Sequence, residues 1–401
     1  MEDSRGGLDP QDRLPILPSD YRPISLLPVL SKLMERLVST RLSFWLETNS
    51  LLPQEQAGFR PGQSAEFQLT RVTEDIHRAW RRGEVTVAVF LDVRKAFDTV
   101  WRDGLIHKLQ HVARVQGQML HWIRAFLNGR SASFRADGAT SAPVPLHSGV
   151  PQGAVLSPLL YNIFTADILS TLPRSVIASV YADDTAIYFN LRPHRDSTVL
   201  REQLQPLQQA LDAIHRWFAV WRLTLAPPKT KLRVFFPHNS PPPQALLDLL
   251  SSGHLHINNQ PLHPDPNPST RYLGLWLDSH LLFTDHLQKI VDRTTRRLTV
   301  LRWLSSPSRG GQREILLALF RAWIRPLGEY GCAAFGGIHG HAFTQLDNLH
   351  TSALRIAIGA NKCSAPLSVF IEAGFELPPP SDVSSSQSPQ SPVPTHTPQP
   401  P

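Results

Sequence analysis

Cysteine is nearly missing from this chain: its 401 residues include only Cys332 and Cys363. That excludes a disulfide-stapled scaffold and a cysteine-rich zinc module. The 17 histidines, His254 and His256 among them, lack the paired spacing that would make a zinc site without cysteine. Long apolar runs are missing too. Stretches such as Ile315 to Phe320 fall far short of the ~18 residues a membrane span needs. The opening Met1-Glu2-Asp3-Ser4-Arg5 does not begin a secretory signal. The expectation is a soluble intracellular protein, of nucleus or cytoplasm, with no membrane partner. No basic run is dense enough to read as a nuclear signal. Charge is sparse at 18% of residues, yet its balance is positive: 40 Lys and Arg against 33 Asp and Glu give +7. Such a balance suits an anionic partner.

What the chain has in excess is proline, 36 residues. The prolines are clustered and punctuate the sequence. Residues 1–20 read as an irregular segment. Residues 237–268, with eight prolines, read as a long loop holding one short apolar piece, Ala245 to Leu250. Residues 377–401 carry nine prolines and six serines and almost nothing apolar. That tail cannot bury enough surface to offset the entropy of ordering it.

Between these breaks the hydrophobic periodicity predicts a mixed α+β chain. Helical spacing runs from Leu26 to Leu46, from Phe67 to Trp80, and along Leu200, Leu204, Leu207, Leu211, Ile214, Phe218 and Trp221, with Pro206 expected to kink the start. "VTVAVFLDV" (Val85 to Val93) is a β-branched run of the kind buried on both faces. "VIASVYADDTAIYF" (Val176 to Phe189) reads as two short strands folded about a polar turn. Leu273 to Leu277 reads as one strand, and the last third as helical and basic.

Three carboxylates stand where strands end: Asp92 after the buried run, and Asp183 and Asp184 at the hairpin centre. Strand ends and hairpin tips hold oxygen ligands rigidly, which Mg²⁺ requires. Two such ions ~3.5–4 Å apart clamp the attacking and leaving oxygens in phosphoryl transfer. A solvated hairpin turn satisfies the same residues equally well.

Longer motifs carry a resemblance. "YADD" (Tyr181 to Asp184) resembles the metal-binding hairpin of reverse transcriptases, and "FLDVRKAFDTVWRDGL" (Phe90 to Leu105) the companion motif of non-LTR, LINE-type, jockey-like retrotransposon enzymes. "GVPQGAVLSPLLYNIFTADI" is similar to their template- and nucleotide-contacting motif. "YRPISLLPVLSKLMERLVSTRL", "QAGFRPGQSA", "RWFAVWRLTLAPPKT", "RYLGLWLDSHLLFTDHL", "IRPLGEYGCAAFG" and "LRIAIGA" follow in the family order.

The resemblance implies a right-hand polymerase fold: a first part of the fingers at 21–86, an antiparallel-sheet palm with the remaining fingers segment at 87–282, and a helical thumb and post-thumb region at 283–376. It implies an RNA-directed DNA polymerase acting on an RNA template, a DNA primer and dNTPs, and holding the RNA–DNA hybrid. Asp92, Asp183 and Asp184 would hold two Mg²⁺ ions, or Mn²⁺ in their place. Phe97 would block a 2′-OH, Gln152 would contact the incoming nucleotide, and Arg22 and Arg60 would approach the triphosphate. Lys229 would stand near the leaving pyrophosphate, although Ala226 replaces the family's usual Asn just before it. Gly274 would fall at the primer-grip hairpin, where a backbone close to the primer needs no side chain, or else at a strand bulge. Lys289, Arg293, Arg296 and Arg297 would follow the hybrid's phosphates. The family's upstream fingers strand and its endonuclease have no counterpart in the motif map, so a fragment that binds RNA or a partner without chemistry stays open as an alternative.

Overall fold

The continuous β-branched run Val85–Leu91 (β1) is buried at every residue, as a strand covered on both faces must be. In the computed structural model, which describes residues 24–136, 138–226, 229–306, 310–335 and 341–375, β1 lies inside a four-stranded antiparallel sheet. Asp184–Leu191 (β7) pairs along one side, from Val85↔Leu191 to Leu91↔Thr185. Lys231–Phe235 (β8) pairs along the other, from Thr86↔Phe235 to Phe90↔Lys231. Ile177–Tyr181 (β6) extends the sheet beyond β7, giving the order β6-β7-β1-β8. The expected irregular segment 1–20 and the tail 377–401 lie outside the described residues.

Side chains alternate across β1. Val87, Val89 and Leu91 join a core with Leu105 of α3 (Arg102–His111), Ile123 of α4 (Gly117–Leu127), Leu160 and Phe164 of α5 (Ser157–Thr165), and Leu204 and Leu211 of α6 (Ser197–Val220). Phe90 belongs to the alternate set and meets Tyr272, with ring centroids 5.1 Å apart. Helix α6 continues across Pro206 rather than breaking there. The carbonyl that a proline leaves over belongs to Glu202, which is exposed.

Three stretches depart from the reading of the sequence. The proline-rich 237–268 is not simply a loop. Gln244–Ser251 (α7) buries Leu246, Leu249 and Leu250, and His256–Ile257 (β9) pairs with Gln260–Pro261 (β10). Pro243 stands at the N-cap of α7, where a missing N–H costs nothing. The single strand read from the apolar run Leu273–Leu277 is a hairpin of Ser269–Tyr272 (β11) and Leu275–Asp278 (β12), with Gly274 in its turn as the resemblance implied. Leu273 and Gly274 turn it with φ of 44° and 87°, the left-handed pair a tight hairpin demands. Finally, α1 (Val29–Thr48) does not bury its whole apolar stripe. Leu30, Leu33 and Leu37 are exposed, and Glu35 is buried instead. Its carboxylate accepts from the Val155 and Leu156 amides, so a polar need at α5's approach decides which way the helix faces.

The chain divides into two units, residues to 288 with 330–339, and 289–329 with 340 onward. The second unit has its own core: Leu298 and Leu301 of α8 (Thr284–Leu304), Leu316 and Leu317 of α9 (Arg313–Leu319), Phe320 and Ile324 of a π-helical turn, Leu354 of α12 (His341–Ile358) and Val369 of α13 (Pro366–Glu372).

Candidate active site

The ladder between β1 and β7 ends on Leu91↔Thr185. Asp92 follows Leu91 and Asp184 precedes Thr185, so the register brings both residues to the same end of the sheet, just past its last ladder pair. The end of β1 is pinned from the other side: the Ala226 amide donates to the Asp92 carbonyl (2.9 Å) and the Arg94 amide to the Thr224 carbonyl (2.9 Å). Asp184 pairs with Tyr181 across a two-residue turn of Ala182 and Asp183. The three acids thus meet at one end of the sheet. Beneath them Tyr161 is fully buried; burial raises its phenol well above the usual range, and Asp183 and then Asp184 add to the rise. Tyr272 is pushed up chiefly by burial and further by Asp184. Both phenols stay protonated beside the acids.

The turn is strained. Ala182 holds φ at 59°, a left-handed conformation costing a residue with a Cβ about 1–2 kcal/mol. A segment far away in sequence supports it. The Ala57 amide donates to the Val180 carbonyl (2.9 Å) and the Val180 amide to the Glu55 carbonyl (3.1 Å). Gln56, only 2% exposed, accepts from the Ala182 amide (2.9 Å) and the Gly58 amide (2.8 Å) and donates to the Ala182 carbonyl (3.4 Å). Asn162 donates to the Gly58 carbonyl (2.7 Å). Gly58 admits no side chain, because a Cβ would lie 2.3 Å from the Ala182 nitrogen.

The other expected site residues fall into groups. Phe97 stacks on Tyr161 (centroids 4.9 Å apart) and is half-buried. Gln152 donates to Asp98 (2.9 Å), a partner that reading the sequence overlooked. Gly149, beside it, packs against the Asp98 backbone so closely that a Cβ would meet its carbonyl oxygen at 2.6 Å. Lys229 reaches Asp92 at 3.6 Å from an exposed position. Gly274 lies under Tyr330, whose hydroxyl donates to the Leu273 carbonyl (2.6 Å); that support was also unforeseen.

The basic candidates divide. Arg22 lies outside the described residues. The Arg60 guanidinium is taken up by a bidentate pair with Glu47 (2.6 and 2.8 Å) and by the Pro53 and Gln56 carbonyls. On α8, Arg293 and Arg296 are exposed and Lys289 is half-buried. Arg297 instead donates to the Trp323 carbonyl and lies over that residue's ring.

Among the described residues no three His, Cys, Asp or Glu side chains close into a ready-made metal cluster. The donors at the sheet end nonetheless suit Mg²⁺: all are oxygens, and all are on or beside β1 and β7. Mg²⁺ is ordinarily held by one or two carboxylates plus substrate phosphates rather than by an all-protein cage, so an open arrangement fits.

The antiparallel four-stranded sheet with helices packed on it and acids at one end matches the expected α+β architecture. The chain belongs to the reverse transcriptase family: the model described as "Reverse transcriptase (RNA-dependent DNA polymerase)" matches residues 9–277. A probable RNA-directed DNA polymerase from transposon BS of Drosophila melanogaster is 33% identical over 344 residues, 84% of this chain and 36% of that protein. The RNA-directed DNA polymerase from mobile element jockey of the same fly is 30% identical over 346 residues, 85% of this chain and 36% of the relative. The expected kinship with non-LTR, jockey-like elements is therefore met, while the chain spans about a third of the length of these curated relatives. A solved telomerase of Candida albicans aligns over 86% of this chain and 58% of its own, at 13% identity and a TM-score of 0.42. No helix among the described residues is long and apolar enough to cross a membrane.

Proposed function

We propose that this chain is the catalytic core of an RNA-directed DNA polymerase, adding dNTPs to a primer 3′-OH on an RNA template in the course of retrotransposition. The observation that carries this is the register that brings Asp92 and Asp184 to the same end of the sheet, with Asp183 on the adjoining turn. Two Mg²⁺ ions, with Mn²⁺ able to substitute, would supply Lewis-acid stabilisation of the charge that builds up during phosphoryl transfer. Asp92, Asp183 and Asp184 would hold them. Lys229, already within 3.6 Å of Asp92, would give a proton to the departing pyrophosphate. Gln152, fixed by Asp98, would present its amide to the incoming nucleotide. Gly274 would let the primer backbone approach the β11–β12 turn, and Arg293 and Arg296, with Lys289, would follow the phosphates of the RNA–DNA hybrid.

The test is primer extension on an RNA template with Mg²⁺ and dNTPs. Wild type is expected to incorporate and Asp183→Asn to fall to background; equal incorporation by the two would end the reading. Metal-independent RNA binding without incorporation would point to a binding fragment instead.

The Phe97 ring, braced flat against Tyr161, offers a rigid wall to the sugar. Phe97→Val should raise the ratio of rNTP to dNTP incorporation by about tenfold or more, since a clash worth ~1.4 kcal/mol is a factor of ten. Competition assays with matched nucleotides read this directly, and an unchanged ratio would remove the wall.

A further inference from the structure

We infer that Gln56 is a positioning residue for the metal-binding turn: its side-chain amide clamps both polar groups of Ala182 and so fixes where Asp183 and Asp184 point. The inference rests on the reading that those acids hold metal. Gln56 accepts from the Ala182 amide at 2.9 Å and donates to the Ala182 carbonyl at 3.4 Å, and its oxygen also takes the Gly58 amide at 2.8 Å. One buried side chain thereby satisfies the peptide groups on either side of a strained residue.

The strain is the reason a clamp is needed. A left-handed alanine relaxes toward extended or helical backbone unless its surroundings overdetermine it. Relaxation at Ala182 would swing the next residue, Asp183, and shift the start of β7 at Asp184. The ladder hydrogen bonds cannot prevent this, because the two turn residues lie outside the paired segment. Glycine would hold the same φ without strain. Alanine with a buried amide across its backbone gives a stiffer turn than glycine, and stiffness at a ligand is what an ion with strict octahedral geometry rewards. Gly58 completes the arrangement, since only a residue without a Cβ lets the 56–58 segment come this close.

Removing a group that orients a metal ligand typically weakens metal affinity by about 10–100-fold. In the full chain, Gln56→Leu should raise the Mg²⁺ concentration for half-maximal primer extension by about tenfold. The KM for dNTP at saturating Mg²⁺ should stay within about twofold. Mn²⁺ binding, followed by the electron paramagnetic resonance of the free ion, should weaken by a similar factor of about ten without reference to turnover. Adding Ala182→Gly to Gln56→Leu should recover part of the lost affinity, because glycine adopts that φ without strain while leaving the turn less stiff than the clamped alanine. Gln56→Asn keeps an amide but shortens its reach, and serves where the leucine variant does not fold; it should fall between wild type and Gln56→Leu.

A lowered unfolding midpoint with unaltered Mg²⁺ and Mn²⁺ dependence in either single variant would reduce Gln56 to a structural residue and overturn the inference. So would a double variant no better than Gln56→Leu. Failure of the polymerase reading shows separately, as incorporation by wild type no greater than by Asp183→Asn. The Mn²⁺ titration decides the role of Gln56 in either case.

Discussion

Asp92→Asn is expected to reduce primer extension by about 10³-fold or more while leaving the fold as stable as before, or slightly more so. The loss follows from the several kcal/mol of charge stabilisation that a correctly held metal supplies to phosphoryl transfer, each 1.36 kcal/mol being a factor of ten. The stability side follows from the register. Asp92 and Asp184 lie just past the last ladder pair, Leu91↔Thr185, and like charges opposite each other cost up to ~1 kcal/mol. The pair Asp92 makes with Lys229 spans 3.6 Å, and the lysine side chain is 75% exposed, so its removal costs ~0–1 kcal/mol at most. Asparagine keeps the shape and removes the repulsion. Urea unfolding together with primer extension reads both quantities on one preparation. Full activity in Asp92→Asn would deny the residue a role in chemistry. A large fall in stability would assign it to the fold.

The second large effect concerns stability alone. Lys108 is fully buried, with its ammonium 2.6 Å from Asp167 and 4.9, 4.2 and 3.6 Å from the ring centres of Phe164, Trp217 and Trp221. Lys108→Ala empties that box and leaves the Asp167 carboxylate, among the described residues, with the Trp217 indole N–H (3.1 Å) as its side-chain partner. Breaking a buried pair from one side costs about 3–5 kcal/mol. Lys108→Met fills the box with a group that aromatic rings accept well, so it should cost much less. The pH dependence separates charge from shape. Burial lowers the Lys108 pKa to about 8 against the opposing pull of Asp167, so between pH 8 and 10.5 the unfolded chain binds more protons than the folded one. The cost of burying the charge is complete below pH 8 and gone above about 10.5. Wild type should therefore gain on Lys108→Met by about 3 kcal/mol across that window. A constant gap would mean the ammonium is not penalised in the fold.

The parts of the molecule that were legible in the sequence are those whose cause is local. Val85–Leu91 is a buried strand because every side chain in it suits burial, and Tyr181–Asp184 is a turn because charge interrupts two apolar runs. The expectation of a palm and its acids came from these and from the motif order. What could not be read depends on partners distant in sequence. Gln56 looks like an ordinary polar loop residue until the chain brings it to Ala182, 126 positions away. Arg60 and Arg297 are recognisably basic, but nothing nearby in sequence announces that Glu47 and Trp323 will take up their guanidinium groups. The stripe on α1 has helical spacing, yet the buried Glu35 and its bonds to Val155 and Leu156 set the helix's orientation. At Leu273–Gly274 the signal was present: a glycine inside a short apolar run marks a turn as readily as a bulge, and the apolar residues around it masked the break.

The fit of Gly58 against Ala182 also limits how this chain can be recombined. Residues 55–58 and 177–185 are a single mechanical part encoded in two places, joined by backbone hydrogen bonds and by a space that admits only a hydrogen atom. Transplanting the hairpin from another lineage would import a turn without the amide that braces it. Moving the loop alone would bring a brace shaped for a different turn. Productive chimeras must carry both segments together, and in a deep mutational scan the tolerance at 56 and 58 should depend on which residue occupies 182.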